Sequence, residues 1–164
     1  MAGALETTVF PPAAEQALRK ADDQLGFALP GLLRSIYRHV ANGGIGPSYG
    51  LLGIAIGATD DQGRNAVELY CDFLGYNDQQ SGETGDPDHG WNWPERLLPI
   101  CYRGCTVYEC LDCNLRDGPI TIVDLSGHNW ERPFDQTASS LRSWLEDWLD
   151  ETDGPEPPWL RRLD

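Results

Sequence analysis

Four of the five cysteines, Cys101, Cys105, Cys110 and Cys113, fall within thirteen positions, and Cys71 stands apart. Four thiolates can hold zinc tetrahedrally, and a C-x2-C pair is a common half-site. Here a C-x3-C pair and a C-x2-C pair are separated by only four residues, whereas zinc ribbons place a longer loop between two C-x2-C knuckles. Period-2 alternation along a strand puts Cys105, Val107, Glu109, Leu111 and Cys113 on one face and Cys110 on the other, which works against a four-ligand site. The expectation is buried thiols with no metal or other cofactor, since free cysteine is among the most buried residue types. A zinc-stabilised cluster at Cys101, Cys105, Cys110 and Cys113 is the alternative.

A nucleophilic cysteine would need a neighbouring base to form its thiolate. His39 lies in a helical pattern, His89 in a polar loop and His128 after a Ser-Gly turn, and no spacing ties any of them to a cysteine. Asp86-x-Asp88-His89 reads as a solvated turn rather than a metal half-site, because further ligands at strand ends are missing. Gly44-x-Gly46 follows a helix and lacks the lysine and spacing of a phosphate loop. No catalytic residue is assigned, and the chain is expected not to be an enzyme.

The remaining chemistry is charge and aromatic surface. Twelve Lys+Arg stand against 26 Asp+Glu in 164 residues, a formal charge of −14. Such a field repels nucleic acid and anionic membrane surfaces and speeds association with a basic protein. Glu146, Asp147, Asp150 and Glu151 crowd the end of a helical pattern, where the dipole disfavours negative charge by roughly 0.3–1 kcal/mol each. These four, with Asp60, Asp61, Asp86 and Asp88, are the candidate partner-binding carboxylates. Trp91 and Trp93 are the candidate aromatic anchors, because Trp is enriched among interface residues that carry binding energy; the alternative, weighted slightly higher, is that they are core residues covering the sheet.

These groups need a scaffold, and the chain is long enough for one core burying about 70% of its unfolded surface. Pro11 and Pro12 are expected to open a helix carrying Ala14, Leu18, Ala21 and Leu25, ended by Gly26. A second helix carries Leu33, Ile36, Tyr37 and Val40 and stops at Asn42-Gly43-Gly44. A Gly-rich turn with a short strand or irregular segment follows to Thr59, then a helix over 65–74 and an exposed loop over 75–90. Strands are expected over 97–102, 106–113 and 120–124, with an edge strand over 129–134. Asp135 or Thr137 should cap a last helix striped by Leu141, Trp144, Leu145, Trp148 and Leu149. The fold class is α+β: a single domain with a central antiparallel meander, N-terminal helices and a C-terminal amphipathic helix packed on it. Its boundaries are a lead-in over 1–11, the domain over 12–153 and a Pro-rich tail over 154–164. The first eight residues carry Glu6, no positive charge and no apolar run, so a cytoplasmic location is expected.

The order of features resembles a known family. Leu29-Pro30-Gly31-Leu32-Leu33-Arg34 through Asn42-Gly43-Gly44, then Gly46-Pro47 and Tyr49-Gly50-Leu51-Leu52-Gly53, is similar to the entry motif of the SUKH superfamily. Trp93-Pro94, Leu98-Pro99-Ile100, Gly104-Cys105, Leu111-Asp112-Cys113 and Asp117-Gly118-Pro119-Ile120 resemble its central strands, and Asp124 and the Trp-rich closing helix also fit. The resemblance covers roughly residues 12 to 152. The superfamily includes Smi/Knr-type cell-wall assembly regulators and bacterial immunity proteins. The resemblance implies a protein-binding domain without a catalytic centre, in bacterial members mostly one that neutralises a toxin. With the acidic charge, the expected partner is a cognate protein toxin or another basic protein, and the chain itself is expected to be a monomer or weak dimer. A basic nuclease toxin fits the acidic surface, and a scaffold recognising a cellular partner is the alternative. The family supplies no contact residue to carry over.

Overall fold

Helix-compatible spacing at the start of the chain becomes two helices stapled together in the computed structural model, which describes residues 8–80, 92–126 and 134–153. Helix α1 (Glu15–Leu25) buries Leu18, Ala21 and Leu25, and Gly26 ends it in the left-handed conformation, donating its N–H to the Asp22 carbonyl. Pro11 and Pro12 lie before the helix rather than in its first turn, the cap position being Ala14. Helix α2 (Gly31–His39) buries Leu33, Ile36 and Tyr37. Arg34 ties the two helices together: Nη1 donates to Asp22 Oδ2 at 2.7 Å and Nη2 to Glu15 Oε1 at 2.9 Å.

The Gly-rich stretch after α2 is irregular and is organised by one buried side chain. Asn42 Nδ2 donates to the Ile54 carbonyl and its Oδ1 accepts the Ile54 N–H, both at 2.8 Å. Paired buried amide groups of this kind fix a loop because leaving either unmade costs about 1–3 kcal/mol. Gly53 must be glycine: a Cβ there would stand 2.8 Å from Asn42 Oδ1. The stretch touches the sheet through an isolated antiparallel bridge between Leu51 and Cys101.

Helix α3 (Ala66–Gln80) runs beyond the expected 65–74 and takes up the first residues of the expected loop. Four strands follow, β1 (Leu97–Gly104), β2 (Val107–Asp112), β3 (Ile120–Asp124) and β4 (Phe134–Ala138), and then α4 (Leu141–Asp153). The strands form one antiparallel sheet in chain order β1-β2-β3-β4. Cys101 pairs with Glu109, Glu109 with Ile122, and Ile122 with Asp135. The α+β meander is therefore the fold. The edge strand, however, is 134–138 rather than 129–134; residues 129–133 lie outside the described part, as do the lead-in to residue 7 and the tail from residue 154.

Asp135 and Thr137 sit inside β4 and cap nothing; Ser140 is the cap of α4. Its Oγ accepts the Ser143 N–H at 3.1 Å, and the Ser143 hydroxyl reaches back to accept the Ser140 N–H at 3.1 Å. This reciprocal arrangement satisfies two backbone donors that the helix start would otherwise orphan.

The core is continuous from α1 and α2 through Leu51, Leu52 and Ile54 to the sheet, closed by Leu141 and Trp144 of α4. Helix α3 packs on β1 and on α1, whereas α4 packs on β4 and against α2. Tyr37, fully buried, donates its hydroxyl to the Leu52 carbonyl at 2.6 Å. No helix among the described residues is long and apolar enough to cross a membrane.

Candidate binding surfaces: an aromatic cleft and an acidic helix

Cys101, Cys110 and Cys113 lie near one another but not in the arrangement of a metal site. Cys110 follows Glu109 in β2 and so takes the opposite face, while Cys101 is registered against Glu109. Cys101 and Cys110 are buried, Cys113 is half-buried, and Cys105 is exposed in the β1–β2 turn. Among the described residues, no group of three or more His, Cys, Asp or Glu side chains is placed to hold a metal ion. Burial pushes the Cys101, Cys110 and Cys113 thiols upward, Cys113 to about 12, with nearby carboxylates adding to the effect. These are packing thiols, the opposite of an activated nucleophile.

Glu109 is the sheet's one buried carboxylate. Its Oε1 pairs with Arg103 Nη1 at 3.1 Å and accepts the Thr137 hydroxyl at 3.2 Å, and its buried Oε2 has no hydrogen-bond partner among the described residues.

Asp60, expected at the surface, is buried. Its side chain is 0% exposed. Oδ1 accepts the Gln62 and Arg64 N–H groups at 3.0 and 2.8 Å, closing a tight turn. Oδ2 takes Arg64 Nη2 at 3.0 Å and the Tyr108 hydroxyl at 3.1 Å. The carboxylate thus locks the turn before α3 to strand β2. Burial, with the Asp60 charge beside it, drives the Tyr108 hydroxyl well above the usual tyrosine range. Removing Asp60 leaves a half-buried guanidinium and two turn amides without their acceptor. Asp60→Ala is expected to cost about 3 kcal/mol in urea unfolding, with Asp60→Asn intermediate, because breaking a buried pair strands its partner. A loss below about 1 kcal/mol would contradict this role.

Next to the lock opens a cleft of about 490 Å³, lined by Asp61, Arg64, Phe73, Tyr76, Tyr102 and Tyr108 among others. A chain of rings runs through its lining, with Tyr49 packed on one end from outside it. Tyr49 packs on Tyr102 at 5.4 Å between centroids, Tyr102 on Tyr108 at 5.4 Å, Tyr108 on Phe73 at 5.5 Å, and Phe73 on Tyr76 at 6.4 Å. Offset and edge-on pairs of this kind each add about 0.5–1.5 kcal/mol beyond the area they bury. Asp61 stands exposed at the wall beside Tyr102, whose hydroxyl is raised by burial and by the nearby Asp61 charge. The cleft draws on the turn before α3, on α3 and on the β1–β2 hairpin.

Trp93 does not serve as an exposed anchor. It is 4% exposed, its Nε1 donates to the Leu97 carbonyl at 2.9 Å, and its ring lies 4.6 Å from that of Phe73. It covers the core where α3 meets β1. Asp86, Asp88 and Trp91 lie outside the described residues.

On α4 the expected carboxylates are all at the surface: Glu146, Asp147, Asp150 and Glu151 are exposed. Arg142 Nη1 lies 3.5 Å from Glu146 Oε1, and the last turn of the helix carries no basic residue. The ridge is therefore anionic where the helix terminus is itself negative.

A meander sheet flanked by helices, with an open aromatic cleft and an acidic helix, defines an α+β domain whose distinctive chemistry is on its surface. The chain belongs to the SMI1 / KNR4 family (SUKH-1), whose family model matches residues 12–147. That family is generally one of non-catalytic immunity and regulatory proteins that bind other proteins. A search of curated proteins returns no match.

Proposed function

We propose that this protein is an immunity protein, neutralising a cognate toxin by covering a basic surface on it, with a nuclease domain as the best-fitting toxin. The observation that carries the reading is the exposed ridge of Glu146, Asp147, Asp150 and Glu151 on a chain of formal charge −14. A nuclease must present cations to hold phosphates, and an anionic protein surface competes for that site by charge. The SUKH membership supports a non-enzymatic, protein-binding role, and the charge supports a basic partner. Docking in the cytoplasm through Asp61 together with the α4 carboxylates is the arrangement that this reading favours.

The test is co-expression with the product of the adjacent gene. If that neighbour kills cells alone, is tolerated with this protein, and the two co-purify in a complex that weakens as salt rises, the reading stands. A harmless neighbour, or one that kills regardless and does not bind, removes immunity toward it and leaves the scaffold role.

A further inference from the structure

The aromatic cleft has a chemistry that the acidic helix lacks. Around it stand three carboxylates, Asp60, Asp61 and Asp72, and one guanidinium, Arg64, which pairs with Asp60 at 3.0 Å and Asp72 at 3.4 Å. The surroundings are therefore negative despite the arginine. The Arg64 guanidinium carbon lies 6.0 Å from the centre of the Phe73 ring, so the cleft already stacks one planar cation on an aromatic face. Tyr76, the outermost ring of the chain, is 51% exposed. Asp61, exposed beside Tyr102, offers a carboxylate at the wall.

We infer that this cleft is the anchor pocket for an arginine side chain projecting from the basic surface of the partner. The inference rests on the proposed binding of a basic protein and names the group that enters first. A flat guanidinium can lie on the Tyr76 ring while its forked N–H groups reach Asp61, and an ammonium matches neither geometry as well. A cleft of about 490 Å³ holds the whole side chain with room for the adjoining backbone. Such half-open aromatic pockets are where interface energy concentrates, while a ridge of exposed charge mainly sets the approach rate.

The pocket is tested without the toxin. The full chain is titrated with hexa-arginine and, separately, hexa-lysine at equal ionic strength, following the resonances of Tyr76, Tyr102 and Tyr108. Hexa-arginine is expected to bind about 3- to 5-fold more tightly, with saturating shifts at those tyrosines, in keeping with an exposed cation–π contact. Tyr76→Ala and Asp61→Asn, both surface changes, should bring the two peptides close to equal affinity, while Tyr76→Phe keeps the ring and the preference. Equal binding by the unaltered protein, or a preference that survives Tyr76→Ala, would overturn the pocket. Failure of the co-expression test beside a retained arginine preference upholds the pocket and dismisses only the toxin as its source. A toxin complex indifferent to Tyr76→Ala and Asp61→Asn dismisses the pocket and leaves the immunity reading in place.

Discussion

Raising the pH from 8 to 11 is expected to unfold this protein cooperatively, with stability beginning to fall near pH 9 and most of it gone by about pH 11. The groups responsible are Cys101, Cys110 and Tyr108 in the sheet, Cys113 just after β2, and Tyr37 in α2. Burial drives all of them above their ordinary range, Cys113 to about 12. Groups raised in this way keep their full contribution below the unfolded pKa, about 8.5 for a thiol and 10 for a phenol, and lose it as pH climbs toward the folded value. Each costs about 1.4 kcal/mol per pH unit in that window, since the unfolded chain releases a proton that the folded chain retains. Three thiols and two phenols together reach on the order of 10 kcal/mol at pH 11, comparable with the whole stability of a domain. Urea midpoints between pH 8 and 11, read with near-ultraviolet circular dichroism, check this. Cys101→Ala with Cys110→Ala should make the decline shallower by close to two protons, whatever the double variant does to stability at neutral pH. A midpoint that stays level to pH 11 would show that these groups ionise in the folded state.

Reversing Glu146, Asp147, Asp150 and Glu151 to lysine is expected to slow association with the basic partner by about 10- to 1,000-fold at low salt and to flatten its salt dependence. Each reversal shifts the formal charge by two, so the chain moves from −14 to −6. The fold should not suffer. All four side chains are exposed, and the contact that is lost is the pair Arg142–Glu146 at 3.5 Å. Exposed pairs of this kind contribute about 0–1 kcal/mol, while cations in the last turn favour the helix by a similar amount. Stopped-flow association across a salt series, with a urea melt alongside, separates the two effects. An unchanged rate would place the docking surface elsewhere, and a lost fold would show that α4 needs these charges for a reason other than binding.

Much of the scaffold was legible because periodicity and punctuation agreed. Leu18, Ala21 and Leu25 with Gly26, and Leu33, Ile36 and Tyr37 before Asn42-Gly43-Gly44, mark α1 and α2 to within a few residues. The first three strands also fall close to their expected ranges, and β3 matches at both ends. The misses have physical causes. Gly75 reads as a helix end, yet a Cβ there would meet nothing within 4 Å. An open glycine costs a helix only about 1 kcal/mol, and α3 runs through it because Leu69, Tyr70 and Phe73 are buried. Asp135, Thr137 and Ser140 are all cap-forming types, and the pairing of β4 with β3 decides among them by drawing the first two into the sheet.

The site was less legible than the fold. An aspartate in an acidic chain reads as surface, and only the spacing of Asp60 to Arg64 with a Gly between hints at a closed turn. Its third partner, Tyr108, lies 48 positions away. The cleft has the same difficulty, since its walls come from the turn at 61–64, from α3 and from the β1–β2 hairpin. No local pattern announces a pocket whose lining is assembled by tertiary packing. The exposed carboxylates of α4 were readable because a helix places successive residues predictably around its axis.

The order of the sheet also bears on how the chain is made. Each strand pairs only with the strand next to it in sequence, so the meander can grow in the order in which residues leave the ribosome. Helix α4 breaks that pattern, because it packs against α2, an element made near the beginning. Leu141 lines a small cavity there together with Leu32 and Leu111. A nascent chain that has not yet delivered α4 therefore carries a finished sheet with an uncovered apolar seam. The late arrival of one helix makes the interval between the finished sheet and the docking of α4 the one in which this domain most needs shelter from other chains.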